Sequence, residues 1–179
     1  MSSSHDYVRD KRNENIKIYI NGRFYPRNKA NISVFDSGFL LGDGVWSGIR
    51  LHNQKLLFIK EHLKRLKDDA KQIGLKIHLS KKELEKAIYR TTNINKMKSD
   101  VHIRLVVSRG IKSTPYQDPA FTISKPTIVI IPEYKIPQEK TYKQGVKLTT
   151  VKTIRGPENV QDPKLNSLSK LNCILACIE

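Results

Sequence analysis

The chain has 179 residues, a formal net charge of +16 and 38% hydrophobic residues. This length allows one substantial core or two small ones, and the longest apolar runs are too short to span a bilayer. The N-terminus is polar and lacks the apolar segment of a secretory signal. Cys173 and Cys177 lack the further Cys or nearby His ligands that a zinc site requires. We therefore predict a cytoplasmic protein with no membrane partner and no metal site.

The excess positive charge comes mostly from lysines that are spread along the chain. Nucleic-acid-binding surfaces combine basic residues with aromatic side chains on which bases stack. Aromatic residues make up 7% of this chain and do not alternate with the lysines. We therefore predict no specific nucleic-acid partner, although a positive field favours anionic ligands such as carboxylates and phosphates.

Residues 1–15 are polar and charged, which predicts a disordered leader. Residues 16–20 and 23–25 then alternate between apolar and polar side chains on either side of Asn21 and Gly22. An Asn-Gly pair between two such runs is the strongest short-range signal of a β-hairpin, because both turn residues need positive φ angles. The ordered part of the chain is therefore predicted to open with a hairpin.

A second hairpin and two helices are predicted next. Residues 48–51 and 56–59 flank a polar pair in a weaker version of the hairpin pattern. Residues 61–74 carry apolar side chains at spacings of three and four and end in glycine, which is typical of an amphipathic helix. A Ser-x-x-Glu capping box predicts a second helix over residues 80–94.

Three strands are predicted in the remainder of the chain. Residues 101–108 form an alternating run, and residues 127–131 form an unbroken β-branched run that Pro132 is expected to end. Residues 146–154 alternate again and predict another strand.

This pattern predicts an α+β fold, in which an N-terminal antiparallel sheet and two helices occupy residues 16–131. Residues 132–144 are rich in Pro, Lys and Gln and are predicted to form a linker. Residues 145–179 would begin a second α/β domain, which contains a helix over residues 167–179. The apolar face of that helix is followed by no further element, so we expect this second domain to be truncated.

Two motifs resemble the N-terminal signature of the class IV pyridoxal-phosphate aminotransferases. The first is the glycine-rich run at residues 35–46, and the second is the run at residues 62–66. The resemblance implies a D-amino-acid aminotransferase-like fold, pyridoxal 5'-phosphate as cofactor and Arg65 as its phosphate ligand. A guanidinium suits that role because it offers a planar fork of hydrogen-bond donors.

The resemblance also implies an activity. It points to transamination of a branched-chain-type amino acid with a 2-oxo acid acceptor, in a homodimer whose active site lies between two domains and is completed by the neighbouring subunit. Two alternatives remain open at this point: an enzyme similar to aminodeoxychorismate lyase, and a catalytically inactive fragment that acts as an interaction module.

The segment at residues 161–172 resembles the part of the family that carries the catalytic lysine, but here the chain departs from the pattern. Asn166 stands at the position of that lysine, and asparagine cannot form a Schiff base. We favour Lys170, which would share a helix face with Asn166. Lys164 is the alternative, because residues two apart on a strand also share a face. A third interpretation is that neither lysine reaches a cofactor.

His102 and Arg104 alternate on a predicted strand and therefore point to the same face of it. If that face lines the pocket, we expect Arg104 to meet a substrate carboxylate and His102 to hydrogen-bond it. The family that the chain resembles often has an aromatic residue and an arginine at this pair of positions. The alternative is an outward-facing polar side of the sheet. Trp46 is expected to form a wall of the pocket or, as the alternative, to be a plain core residue. Ser47 stands where the family commonly has Glu, which is expected to leave Arg50 without a partner.

The carboxylates of the glycine-rich run lack the dense oxygen-ligand spacing of a calcium loop. We therefore predict that Asp36 and Asp43 serve as turn and capping residues. Arg109, at the end of a predicted strand, is expected to hold the neighbouring turn.

Overall fold

An antiparallel six-stranded sheet with the strand order β2-β1-β6-β5-β3-β4 organises the fold. The structure is a computed structural model, and it describes residues 9–136 and 139–179. The strands are β1 (Lys17–Ile20), β2 (Arg23–Pro26), β3 (Gly44–His52), β4 (Lys55–Leu56), β5 (Val101–Ser108) and β6 (Thr127–Tyr134).

The helices of the described chain include two long ones and three short ones. They are α1 (Ser37–Leu41), α2 (Ile59–Gln72), α3 (Lys81–Ile94), α4 (Glu139–Gln144) and α5 (Leu171–Ile178). The two long helices confirm the predicted pair, and the capping box of Ser80 and Glu83 is formed as expected. The α+β prediction is therefore confirmed.

The predicted hairpins are both present. Asn21 and Gly22 have φ angles of 47° and 93°, as the two-residue turn between β1 and β2 requires. Asn53 and Gln54, with φ angles of 46° and 62°, form the corresponding turn between β3 and β4. Strand β3 is longer than predicted and begins at Gly44, inside the glycine-rich run.

One face of the sheet carries the hydrophobic core. Alternate residues of β3, β5 and β6 are buried on this face, because side chains two apart on a strand point the same way. Helix α2 packs on β3, and α3 packs on β1 and β6. Their apolar stripes complete the core through Leu63, Leu66, Leu84 and Ile88, which are almost fully buried. The opposite face of the sheet is free of these helices.

The expectation that Pro132 ends its strand is wrong. Strand β6 continues to Tyr134, and Pro132 pairs with Ile103 of β5. Strand β6 pairs with β1 through Val129 and Ile130. At Pro132, β6 therefore has a neighbouring strand, β5, on one side and, among the described residues, none on the other. Proline is tolerated at such an edge position. The linker predicted at residues 132–144 therefore begins too early, and its last six residues form α4.

The strand predicted at residues 146–154 is also wrong, since these residues form no strand in the structure. Leu148 and Ile154 are 89% and 83% exposed. Alternation of side chains defines two faces but provides no partner for the backbone N–H and C=O groups, which a strand requires.

Part of the predicted leader packs against the sheet. Residues 1–8 lie outside the described residues. Lys11–Asn13 form a 3-10 helix, and the Asn13 side chain donates to the Tyr134 carbonyl at 2.9 Å and accepts from its N–H at 2.8 Å. The prediction of disorder is therefore wrong for these three residues, because one buried amide supplies the end of β6 with a donor and an acceptor.

The C-terminal helix begins at Leu171, four residues later than predicted. The residues before Leu171 do not join the helix, because the chain around Ser167 pairs with Val45 of β3. Within the described part of the chain, no helix is both long and apolar enough to cross a membrane.

Candidate active site

The glycine-rich run forms a corner at the N-terminal end of β3. Asp36 caps α1 by accepting the Gly38 N–H at 2.9 Å, and its other oxygen accepts the Ser108 hydroxyl at 2.8 Å. Gly42 ends α1 with a φ angle of 68°, a conformation that favours glycine. The prediction that Asp36 is a capping carboxylate is confirmed.

Asp43 belongs to an ion pair with Arg109. The guanidinium donates to both carboxylate oxygens, at 2.6 Å and 3.0 Å, and the two side chains are largely buried. Arg109 also donates to the carbonyls of Ile73 and Gly74, at 2.8 Å and 3.2 Å, at the C-terminal end of α2. These bonds go to segments distant in the chain and not to the turn next to Arg109, so the predicted role is corrected: the side chain ties α2 to the glycine-rich corner.

The glycines of this corner allow a distant segment to approach closely. We call residues 165–170 the docking segment. A Cβ atom at Gly44 would lie 2.7 Å from Cδ1 of Leu168, and one at Gly42 would lie 3.1 Å from Cα of Ser169. The Cβ atom at Gly44 would also lie 2.5 Å from the Val107 carbonyl oxygen, so larger residues would collide with both β5 and the docking segment.

The docking segment extends the sheet beside β3. The Trp46 N–H donates to the Asn166 carbonyl at 2.9 Å, and the Leu168 N–H donates to the Gly44 carbonyl at 2.9 Å. A third hydrogen bond comes from α2, where the Asp69 carboxylate accepts the Asn166 N–H at 3.4 Å. These bonds place residue 166, where the resemblance predicts the family's lysine position, at the edge of the sheet.

Lys170 lies at the outer face of β3. Its Nζ atom is 5.9 Å from the centroid of the Trp46 ring, and the Arg104 guanidinium lies 4.4 Å from the same ring. Both distances are within the range of cation–π attraction. Lys170 is the N-cap of α5 rather than a residue within it, so the helix-face argument for it was wrong, but the side chain still reaches the same tryptophan.

Lys164 has different surroundings. It is exposed, and its Nζ atom pairs with Glu158 at 2.9 Å. The structure therefore brings Lys170 and Arg104 to the Trp46 ring, whereas the amine of Lys164 is paired with Glu158. Which lysine is catalytic stays a prediction.

Ser47 contacts His62 and Arg65 of the second motif on the inner face of β3. Its hydroxyl is fully buried, lies 3.2 Å from Nδ1 of His62 and accepts from Nη2 of Arg65 at 3.4 Å. Burial lowers the pKa of His62, and the nearby Arg65 charge lowers it further. Both effects favour the neutral imidazole, and Glu61 acts in the opposite direction.

The expectation for Arg50 is wrong. Ser47 and Arg50 point to opposite faces of β3, so a side chain at position 47 does not face Arg50. Arg50 instead donates to the Lys135 carbonyl at 2.6 Å and lies 3.9 Å from Asp100.

His102 and Arg104 share the outer face of the sheet, as predicted. Burial lowers the pKa of His102, with further contributions from Lys135, Arg104 and Arg50. Both residues line a cavity of about 350 Å³ on this face. The cavity combines apolar walls with cations, and it is lined by Ile16, Ile18, Arg27, His102, Arg104, Ile131, Glu133 and Lys135.

Gly48 provides the space for the His102 ring. A Cβ atom at this position would lie 3.0 Å from Nε2 of His102 and 3.4 Å from the Trp46 ring. We expect Gly48→Ala to push the imidazole outwards and to raise its pKa towards the ordinary value, because burial is the main cause of the lowering. An NMR titration of the His102 ring protons tests this, and an unchanged pKa would contradict the packing described here.

The predicted site residues form two groups. Trp46, Arg104 and Lys170 meet on the outer face of β3, whereas Arg65 lies with Ser47 on the inner face. Trp46 and Ser47 are consecutive, so the two groups are separated by the thickness of one strand. Asn166 links the two elements that carry these groups, because its carbonyl accepts the Trp46 N–H of β3 and its N–H donates to Asp69 of α2.

Asp69 is a residue of this site that we did not predict. It is 7% exposed and lies on α2 one turn after Arg65, and burial raises its pKa. Helix spacing places this residue on the same face as Arg65, but it gives no signal of the contact with Asn166.

The chain belongs to the class IV aminotransferases, since the family model described as Amino-transferase class IV matches residues 44–179. A Methanocaldococcus jannaschii protein named as a candidate branched-chain-amino-acid aminotransferase is 39% identical over 165 residues. D-alanine aminotransferase of Staphylococcus aureus (strain MSSA476) is 30% identical over 139 residues. The family predicted from the two motifs is therefore confirmed.

Solved structures show the same fold. The branched-chain aminotransferase of the thermophilic archaeon Thermoproteus uzoniensis, solved with norvaline, superposes with a TM-score of 0.76 at 26% identity. That match covers 92% of this chain and 55% of the solved chain. The chain spans about half the length of these proteins. The match to the M. jannaschii protein covers 92% of this chain and 55% of that protein. The match to the D-alanine aminotransferase covers 78% of this chain and 49% of that protein.

Proposed function

We propose that this chain contributes to a class IV aminotransferase active site that uses pyridoxal 5'-phosphate. The reaction would transfer the amino group of a branched-chain-type amino acid to a 2-oxo acid. The observation that carries the proposal is the meeting of Lys170, Arg104 and the Trp46 ring at the edge where the lysine position of the family pairs with β3.

The residues fit the cofactor at two points. The guanidinium of Arg65 makes one long hydrogen bond of 3.4 Å to Ser47 and is exposed, so its remaining donors suit a phosphate group. Lys170 supplies a primary amine beside an aromatic wall. When bound, pyridoxal phosphate supplies an electron sink for the bonds around the substrate's α-carbon.

The residues of the chain have separate tasks in this proposal. Arg65 binds the phosphate, and His62 and Ser47 orient its guanidinium. The Nζ atom of Lys170 holds the cofactor and moves the α-proton as a general base. Arg104 binds a substrate carboxylate, and His102 donates or accepts a hydrogen bond beside it. In the assembly that the family implies, this site is completed by a second copy of the chain.

Cofactor affinity tests the phosphate role of Arg65. We expect Arg65→Met to weaken pyridoxal phosphate binding by about 10- to 100-fold, since a hydrogen bond to a charged group contributes about 1.5–3 kcal/mol. Lys64→Met is the matched control, because Lys64 is on the same helix, is exposed and pairs with Asp68 at 2.7 Å. Equilibrium titration with the cofactor, followed by its absorbance, measures both variants.

Equal losses in the two variants would mean that the cofactor responds to the net charge of α2, and the assignment of Arg65 would fail. A native chain that transfers no amino group from any branched-chain amino acid to 2-oxoglutarate, although it binds the cofactor, would overturn the proposed reaction. Release of pyruvate without an amino acceptor would instead favour the lyase alternative.

A further inference from the structure

Asp69 occupies a position that none of the tasks above explains. It lies on α2, but its carboxylate points across to the docking segment and accepts the Asn166 N–H at 3.4 Å. The residue is 7% exposed, so its carboxylate lies in the protein rather than in solvent. A carboxylate is usually exposed unless a partner compensates for its burial.

The electrostatic surroundings of Asp69 show which groups lie close to it. Burial raises its pKa, and the Asn166 N–H and then the Arg65 charge act in the opposite direction. Asp68 on the same helix and Asp162 before the docking segment raise the pKa as well. The Asp69 carboxylate therefore connects the helix that carries Arg65 to the segment that carries Lys170.

The docking segment has few other attachments. Two backbone hydrogen bonds join it to β3, from the Trp46 N–H to Asn166 and from the Leu168 N–H to Gly44. Among the hydrogen bonds of residues 9–136 and 139–179, the bond of Asp69 is the one that joins a side chain of α2 to this segment. Its loss would leave the segment held to the rest of the domain by one strand edge and by packing.

We propose that Asp69 is a positioning residue, whose carboxylate fixes the docking segment so that Lys170 stays against the Trp46 ring. This inference deepens the proposed function and rests on it for its catalytic meaning. The structural part concerns only this chain's own residues. It can therefore be tested without cofactor and without turnover.

Two measurements on the cofactor-free chain test the proposal. Hydrogen–deuterium exchange at the Asn166 amide reports the opening of the docking segment. Acrylamide quenching of Trp46, the single tryptophan of the chain, reports how well its ring is covered. We expect Asp69→Ala to speed exchange at Asn166 by about tenfold, the effect of losing one hydrogen bond to a charged acceptor, and to raise the quenching of Trp46.

Two further variants make the test specific. Asp69→Asn keeps an oxygen acceptor in the same place, so we expect it to restore most of the protection of Asn166. Asp68→Ala removes a neighbouring carboxylate that is 59% exposed and paired with Lys64, and we expect it to leave both signals unchanged. If the effect came only from the charge on α2, Asp68→Ala would change the exchange of Asn166 and the quenching of Trp46 as well.

The proposal is overturned if Asp69→Ala leaves the exchange of Asn166 and the quenching of Trp46 at native values. It is also overturned if exchange rises equally throughout α2, because that would mean a general loss of stability. Failure of the proposed function has a different signature: the native chain would take up no pyridoxal phosphate, while the Asp69 variants would still loosen the docking segment.

Discussion

Replacing Lys170 by methionine is expected to abolish covalent attachment of pyridoxal phosphate and to lower transamination by about 10²–10⁴-fold, the usual contribution of a positioned general base. Methionine keeps the length and the apolar stem of the side chain but removes the amine. The Nζ atom of Lys170 is 5.9 Å from the Trp46 ring, at the edge where residue 166 is docked. Activity assays and borohydride trapping measure the two effects.

Lys164→Met is the matched control for this variant. Lys164 is 79% exposed and pairs with Glu158, so we expect its replacement to leave both attachment and activity unchanged. Asn166→Lys, introduced into the Lys170→Met chain, places an amine at the position that the family uses and is expected to restore attachment. Loss of attachment in the Lys164 variant, with retention in the Lys170 variant, would reverse our assignment.

The second large effect concerns folding. We expect Arg109→Ala to lower the free energy of unfolding by about 3 kcal/mol, because removing one partner of a largely buried ion pair leaves the other charge uncompensated. The guanidinium is 11% exposed and the Asp43 carboxylate 19% exposed, and Arg109 also binds the carbonyls of Ile73 and Gly74. Denaturant unfolding monitored by Trp46 fluorescence gives this free energy.

Arg9→Ala is the control, since Arg9 belongs to an ion pair with Glu14 whose side chains are 73% and 47% exposed. Exposed pairs contribute about 0–1 kcal/mol, so we expect a change within that range. Similar losses in the two variants would show that the Arg109 ion pair contributes no more than an exposed pair, and that α2 is held to the glycine-rich corner by packing alone.

Much of the N-terminal fold could be predicted because local signals determine it. The Asn21-Gly22 turn, the capping box at Ser80 and the apolar stripes of α2 and α3 each act over a few residues. Predictions failed where a distant partner decides the outcome. Residues 146–154 alternate as a strand does, but they pair with no strand in the structure. Strand β6 continues through Pro132 because at this residue it pairs with β5 and not with β1.

In the candidate site too, local signals could be predicted and contacts with distant segments could not. The two motifs indicated the family, and the outer face shared by His102 and Arg104 followed from strand periodicity. The start of α5 was misplaced because the docking segment pairs with β3, which the sequence alone does not reveal. The roles of Ser47 and Asp69 also depend on contacts between distant segments, so spacing along the chain could not establish them.

The most direct test of the proposed function is the site of covalent attachment in the native chain. The purified chain is incubated with pyridoxal phosphate, its visible absorbance is recorded, and the complex is reduced with borohydride and mapped by peptide mass spectrometry. We predict the absorbance band of a protonated Schiff base and a label on Lys170. No band, or a label scattered over exposed lysines, would contradict the proposal and would mean that this chain does not form the cofactor site.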